Sequence, residues 1–329
     1  MTKFAYFCGH EQWQPEALVE QAILAEEMGF DAVVVSEHFH PWVDDVSASG
    51  FAFATIGAMA AATKRIELIT GVTTPLFRYH PGVVAQAAAT LDRLSEGRFT
   101  LGVGTGENIN EGPLGYVFPA YAERNARMTE ALEIMRRLLD GEKLSFDGTY
   151  YRTDRAKLYS PPIGPVPILM AAGGPKSATL AGEMAQGVIT SVKNPLETIE
   201  KVVEPLNQAA KEKGRPDPII LATRWTIFAE DDEEAWKAIY SWRGLRAPGR
   251  IEAVDPAELR EKADALPREE VLSRYPRLST ADQIVDTYRP LAENLGADIV
   301  TIQMASLDQP ALIRLLGNEV LPALRNATG

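Results

Sequence analysis

The chain has 329 residues, 46% hydrophobic and 24% charged, with a formal net charge of −12 and a single cysteine. That length accommodates two ordinary domains or one large α/β barrel. The acidic balance excludes nucleic acid as a general partner, which needs a basic face, and no run of about 18 apolar residues marks a membrane span. The N-terminal residues carry no signal-peptide pattern, and the lone Cys8 cannot form an intrachain disulfide, so a reducing cytoplasm is the expected setting. An anionic ligand would need a local basic cluster acting against the field of the whole protein.

Short β-rich runs alternate with longer stretches of helical period, the βαβα signature of a parallel sheet. In chain order the predicted elements are a strand at 4–7, a helix at 15–28, a strand at 32–36, a helix at 51–63, a strand at 66–70 and a helix at 81–95. There follow a strand at 99–103, a helix at 123–138, a strand at 168–171, a helix at 176–184, a strand at 188–190 and a helix at 196–213. The last are a strand at 219–228, helices at 232–240 and 281–295, a strand at 299–303 and a terminal helix at 309–324. Pro15 suits a first helical turn, where its missing N–H costs nothing, and Gly29 and Gly214 suit helix C-caps. Eight strands predict an α/β fold of the closed (β/α)8 TIM-barrel type, with 1–329 as a single domain. Two segments exceed a minimal barrel. Residues 140–162 contain a β-hairpin pattern, 144–146 and 150–152 about the turn signal Asp147-Gly148. Residues 242–280, charged and proline-rich, read as a helical insertion.

Barrel chemistry sits at the C-terminal ends of the strands. The second strand runs into Ser36-Glu37-His38-Phe39-His40-Pro41-Trp42, where two histidines, a carboxylate and a tryptophan crowd into seven residues. His38 is the candidate proton acceptor, histidine being the side chain most easily poised near neutral pH; His40 is the weaker candidate. A metal pair is disfavoured, since four histidines and one cysteine occur without HExxH or CxxC spacing. The fourth strand ends in a glycine-rich run from Gly102 through Gly104 and Gly106 to Glu107, Asn110 and Glu111, which lets backbone approach a flat ring or phosphate. Glu107, confined there, is a candidate proton donor if its pKa is raised; a capping or salt-bridged carboxylate is the plainer reading. The fifth strand delivers Ala171-Ala172-Gly173-Gly174 into a helix start, a moderate phosphate signal. Gly71, after the third strand, suggests a bulge that presses backbone against a cofactor face. The segment 77–81 is read as loop packing.

These segments, with Glu11-Gln12, Thr74 through Tyr79, Tyr150-Tyr151-Arg152 and Ala263 through Pro267, resemble the luciferase-like superfamily along almost the whole chain. Within it the chain is similar to the sugar-6-phosphate dehydrogenases that use the deazaflavin coenzyme F420. The resemblance implies a barrel of the bacterial luciferase-like type holding the cofactor ring at its C-terminal face, beside a non-proline cis peptide expected at Gly71–Val72. It places His38, Trp42, Glu107 and Glu11 in the catalytic group. Glu37, Gly71, Val72, Thr74, Gly104, Asn110, Ala171, Ala172, Gly173 and Gly174 fall to the cofactor, with no metal. It assigns the substrate phosphate to Lys193, Arg250 and Arg274. Glu37 stands where close relatives carry aspartate, His40 where they often carry glutamine, and Arg250 where they carry lysine.

The implied reaction passes hydride from C1 of glucose 6-phosphate or a related hexose phosphate to F420, giving the lactone. A homodimer is expected from the family. The competing readings are an F420-dependent alcohol dehydrogenase or FMN-dependent monooxygenase, which would have no use for the three cations, and a cofactor-binding barrel without catalysis.

Overall fold

Ala32–Val35 and Ile299–Ala305 are buried at every position, the pattern of strands covered on both faces rather than one. The computed structural model, which describes residues 1–328, closes these strands into a ring. In chain order the strands are β1 (Lys3–Cys8), β2 (Ala32–Val35), β3 (Glu67–Thr70), β4 (Phe99–Val103), β5 (Leu144–Asp147), β6 (Arg152–Ala156), β7 (Ile168–Ala171), β8 (Gly187–Ser191), β9 (Ile219–Phe228), β10 (Arg277–Leu278) and β11 (Ile299–Ala305). Parallel pairing runs β9-β11-β1-β2-β3-β4-β7-β8, and β8 returns to β9, so eight strands form the expected (β/α)8 barrel. The long β9 continues past the ring and pairs with β10, while β5 and β6 form a separate two-stranded sheet.

Strand alternation divides the core in two. Ala5, Val34, Ile69, Leu169, Ile189 and Leu221 fill the barrel interior. Their sequence neighbours, such as Phe4, Val33, Leu68, Ile168 and Ile220, pack outward against the helices. Carrying the inward register one step further brings Ser36, Gly71, Gly104, Ala171, Ser191 and Thr223 to the C-terminal rim. A bulky floor thus carries small residues on most of its rim, while Phe7 from β1 packs there against Trp225 and Trp242.

Several elements differ from the sequence expectation, the terminal helix among them, which a widened turn interrupts at Leu316–Val320. The second hairpin strand begins at Arg152 rather than at Tyr150. The Glu130 carboxylate accepts hydrogen bonds from the N–H groups of Thr149, Tyr150 and Tyr151 (2.8–3.1 Å), giving this stretch a partner other than a strand. The helix at 195–212 is interrupted by a widened turn, Ile199–Val203, just ahead of Pro205, which has no N–H to donate.

Segment 242–280 contains the helices Pro256–Asp264 and Arg268–Leu272. It is tied to the loop after β2 by Arg243, fully buried between Asp45 and Asp264 at 2.7 Å each and stacked 3.8 Å from the centre of the Tyr240 ring. A buried guanidinium stripped of a partner costs on the order of 3–5 kcal/mol, so the tie is a firm one. No helix among the described residues is long and apolar enough to cross a membrane.

Candidate active site

The first turns after β1 and β2 interlock above the C-terminal rim. His10 is fixed by both ring nitrogens, Nδ1 2.7 Å from the Ser36 carbonyl and Nε2 2.9 Å from Thr55 Oγ1, which leaves it a structural role. Ser36 Oγ accepts from the His10 N–H and donates to Glu11 Oε2 at 2.5 Å. The other Glu11 oxygen lies 3.2 Å from His38 Nε2. Burial is the main cause that pushes the Glu11 carboxyl up, to about 7, with Glu107 adding repulsion. Burial and the cations Arg78 and Arg250 push His38 down to about 3. With Glu11 ionised, His38 places its proton on Nε2 and keeps Nδ1 as a lone pair, and that nitrogen is buried without a partner. The loop is held by Ser49 Oγ, which donates to the His38 carbonyl, and by Asn110 Oδ1, which accepts from the Phe39 N–H at 2.8 Å.

Trp42 meets His38 edge-on at 4.8 Å, and the guanidinium of Arg250 lies 5.4 Å from the Trp42 ring centre. Arg250 Nη1 in turn donates to Glu107 Oε1 at 2.5 Å. Glu107 stands at the start of the short helix Asn108–Glu111 but does not cap it with its side chain; its carboxylate is salt-bridged, the plainer of the two readings. Flanking protein raises its pKa and Arg250 pulls it down, with burial the larger effect. Glu11, His38, Trp42, Arg250 and Glu107 therefore form one continuous chain of contacts across the mouth.

Around this chain several buried polar atoms have no hydrogen-bond partner: Glu37 Oε2, His38 Nδ1, Trp42 Nε1 and Thr73 Oγ1. Buried polar atoms are usually satisfied, so this set reserves hydrogen-bonding capacity for a ligand. The Gly71–Val72 peptide is cis, at the expected position. A Cβ on Gly71 would lie 2.3 Å from Val34 Cγ1, and one on Gly104 would lie 2.6 Å from Val72 Cγ2, so backbone packs here where no side chain fits. Thr74 is buried beside them. Gly173 and Gly174, by contrast, face open space, with nothing within 4 Å of a Cβ.

The three cations assigned to phosphate separate. Lys193 and Arg274 line one cavity of about 330 Å³ together with Arg224, Arg246, Trp225 and Tyr275. Arg250 sits instead on Glu107, though still close enough to act electrostatically on Tyr275. Inside the cavity Arg224 Nε, Arg246 Nε and Tyr275 Oη are buried and unpartnered. Arg274 is braced by the Arg246 carbonyl and by Glu270. Trp225 connects this cavity to the cluster that contains Trp42 and Trp242.

Residues 2–299 match the luciferase-like monooxygenase family. The chain belongs to that family. Among its relatives, the F420-dependent glucose-6-phosphate dehydrogenase of Nakamurella multipartita is 38% identical over 332 residues, covering 99% of this chain and 98% of the relative. The enzyme of the same name from Nocardia farcinica is 40% identical over 322 residues, covering 96% of each chain. A solved structure of an F420-dependent secondary alcohol dehydrogenase, in complex with an F420-acetone adduct, superposes with a TM-score of 0.91 at 31% identity, over 99% of this chain and 100% of that one. The coenzyme F420-dependent tetrahydromethanopterin reductase of Methanopyrus kandleri, at 23% identity and TM-score 0.79 over 98% and 99% of the two chains, shares the fold.

In this family member Arg78, in the segment 77–81 expected to serve loop packing, has a further part. Arg78 is in fact buried between Glu37 (2.7 Å) and Glu111 (2.6 Å) and fixes the carboxylate whose second oxygen is unpartnered. A lone arginine among aromatics, with both carboxylates on other loops, was the only available signal. Arg224, Arg246 and Tyr275 gave none, because each lies on a different element. His40 has its Nδ1 3.1 Å from the Val254 carbonyl and its ring stacked on Phe39.

Proposed function

We propose that this protein oxidises a sugar 6-phosphate, glucose 6-phosphate or a related hexose phosphate, at C1 to the lactone, with coenzyme F420 as acceptor. The observation that carries the reading is the cation-lined cavity joined by Trp225 to the Glu11–His38–Trp42–Glu107 cluster. One end of a ligand meets fixed positive charge and the other meets paired proton-transfer groups.

The mouth fits the cofactor. Glu37 Oε2, Trp42 Nε1 and Thr73 Oγ1 offer polar contacts to a flat heterocycle, and Gly71, Val72, Thr74, Gly104 and Asn110 form the backbone wall against it. The surface of Ala171, Ala172, Gly173 and Gly174 leaves room for its anionic tail. When bound, F420 supplies the hydride acceptor. Within the chain, His38 Nδ1 takes the C1 hydroxyl proton as the C1–H bond breaks. Glu11 accepts the hydrogen bond from Nε2–H and stabilises the imidazolium, the orienting role of a third group in a triad. Glu107 holds the proton that balances the hydride. Lys193 and Arg274, supplemented by Arg224 and Arg246, seat the phosphate. A homodimer, expected from the family, is part of this reading.

The test is absorbance of oxidised F420 mixed with the protein and glucose 6-phosphate, with plain glucose and simple alcohols as controls. Bleaching with the phosphate alone is expected, and Arg274→Ala should raise KM about 10- to 100-fold with little change in kcat. Bleaching with alcohols alone would select a second reading, an F420-dependent alcohol dehydrogenase, which the 31% identical solved structure favours.

The pH dependence has a defined sign. Below about 7 Glu11 is protonated and donates to His38 Nε2, which moves the imidazole proton to Nδ1 and blocks the base. kcat/KM should therefore fall about tenfold per unit as pH drops below that value. A profile flat from pH about 5 to 8 would remove the Glu11–His38 pair from the proton path.

A further inference from the structure

Arg250 offers the least settled ion pair in the site. It follows Gly249, whose φ of 73° sets a turn outside any helix or strand, and its bridge to Glu107 leaves about a third of each side chain open (30% and 32%), so solvent can take over part of the contact when Arg250 is drawn elsewhere. Two charged groups act on the Glu107 carboxyl: Arg250 from the turn, and Glu11 from the loop after β1, which repels it. With Arg250 withdrawn, burial and Glu11 act in the same direction, towards protonation. The competitor for Arg250 lies nearby. A dianion in the cavity of Lys193, Arg224, Arg246 and Arg274 would carry twice the charge of the Glu107 carboxylate, and Arg250 already lies within electrostatic reach of Tyr275 on the cavity wall.

We propose that Arg250 is a positioning residue that holds Glu107 ionised in the resting protein and leaves it for an oxyanion seated in the Lys193–Arg274 cavity, so that Glu107 takes up its proton only as a phosphorylated substrate binds. This rests on the reading of that cavity as the phosphate seat. It makes phosphate recognition act on turnover as well as on affinity: an unphosphorylated sugar that reached His38 would find the opposite carboxyl already ionised and paired. Glu107 gains one proton from solvent on binding, gives it up in the reaction, and re-pairs with Arg250 when the anion leaves.

The experiment is calorimetric binding of inorganic sulfate to the cofactor-free protein near neutral pH, in buffers of different ionisation enthalpy. Sulfate does not titrate there, so the buffer dependence reads protons taken up by the protein. The wild type should take up a net proton fraction below one per sulfate bound, because Glu11, which titrates near 7, gives up part of its own as the Glu107 charge disappears. Glu107→Gln and Arg250→Met should bind sulfate with no uptake, since the first has no carboxyl to protonate and in the second it is already neutral; Arg250→Lys should restore the uptake. Sulfate binding without proton uptake by the wild type would overturn the inference and leave the phosphate seat standing. Uptake that persists in Glu107→Gln would overturn it by placing the proton elsewhere. Absence of sulfate binding would overturn the seat and the inference together.

Discussion

Glu107→Gln is expected to lower kcat about 100- to 10,000-fold, the range a positioned acid contributes, while F420 affinity stays nearly unchanged. Glutamine keeps the shape and still accepts from Arg250 at the position now 2.5 Å from Glu107 Oε1. It cannot supply the proton that balances the hydride. The side chain reaches the mouth from the end of β4 and forms none of the rim's backbone wall, so binding has little to lose. Stopped-flow absorbance of the cofactor, with a separate fluorescence titration for affinity, distinguishes the two quantities. Full turnover in the variant would take Glu107 out of the reaction.

The second large effect is at His38. His38→Ala should also reduce kcat by about 100- to 10,000-fold, and the limb of the pH profile near 7 should disappear with it. The imidazole carries the unpartnered Nδ1 lone pair and meets the Glu11 carboxyl through Nε2. Its removal leaves Glu11 in its apolar surroundings with Ser36 as its remaining side-chain partner, so the carboxyl becomes still harder to ionise. Thermal unfolding should accompany the assay, because the ring packs on Trp42. A folded variant with near-normal turnover would show that another group removes the proton.

Much of this was legible in the sequence because it is local. Short β-rich runs marked β4, β7 and β9 at their observed bounds and the other five barrel strands to within two residues, whereas the two-residue β10 gave no signal. The barrel rule then directed attention to strand ends, where His38, Trp42 and Glu107 lie. Contacts between loops were not legible. Arg78 looked like packing since its partners, Glu37 and Glu111, come from the ends of other strands. Arg250 was assigned to phosphate by resemblance, whereas the structure places it on Glu107, an ion pair 143 residues apart in sequence that no periodicity encodes. The hairpin shift came from the same source, a carboxylate on a neighbouring helix, Glu130, competing for backbone N–H groups.

The Asp45–Arg243–Asp264 tie has a consequence for the length of molecule the site accepts. It fastens the segment bearing Arg246, Arg250 and Arg274 to the loop that leads back through Trp42 to His38. In the proposed reading, part of the phosphate anchor and the reactive end are thus mounted on one strut, and their spacing acts as a calliper. A sugar phosphate shorter or longer by a carbon could satisfy one jaw only, so chain length would be measured by the rigidity of a salt bridge that touches no substrate.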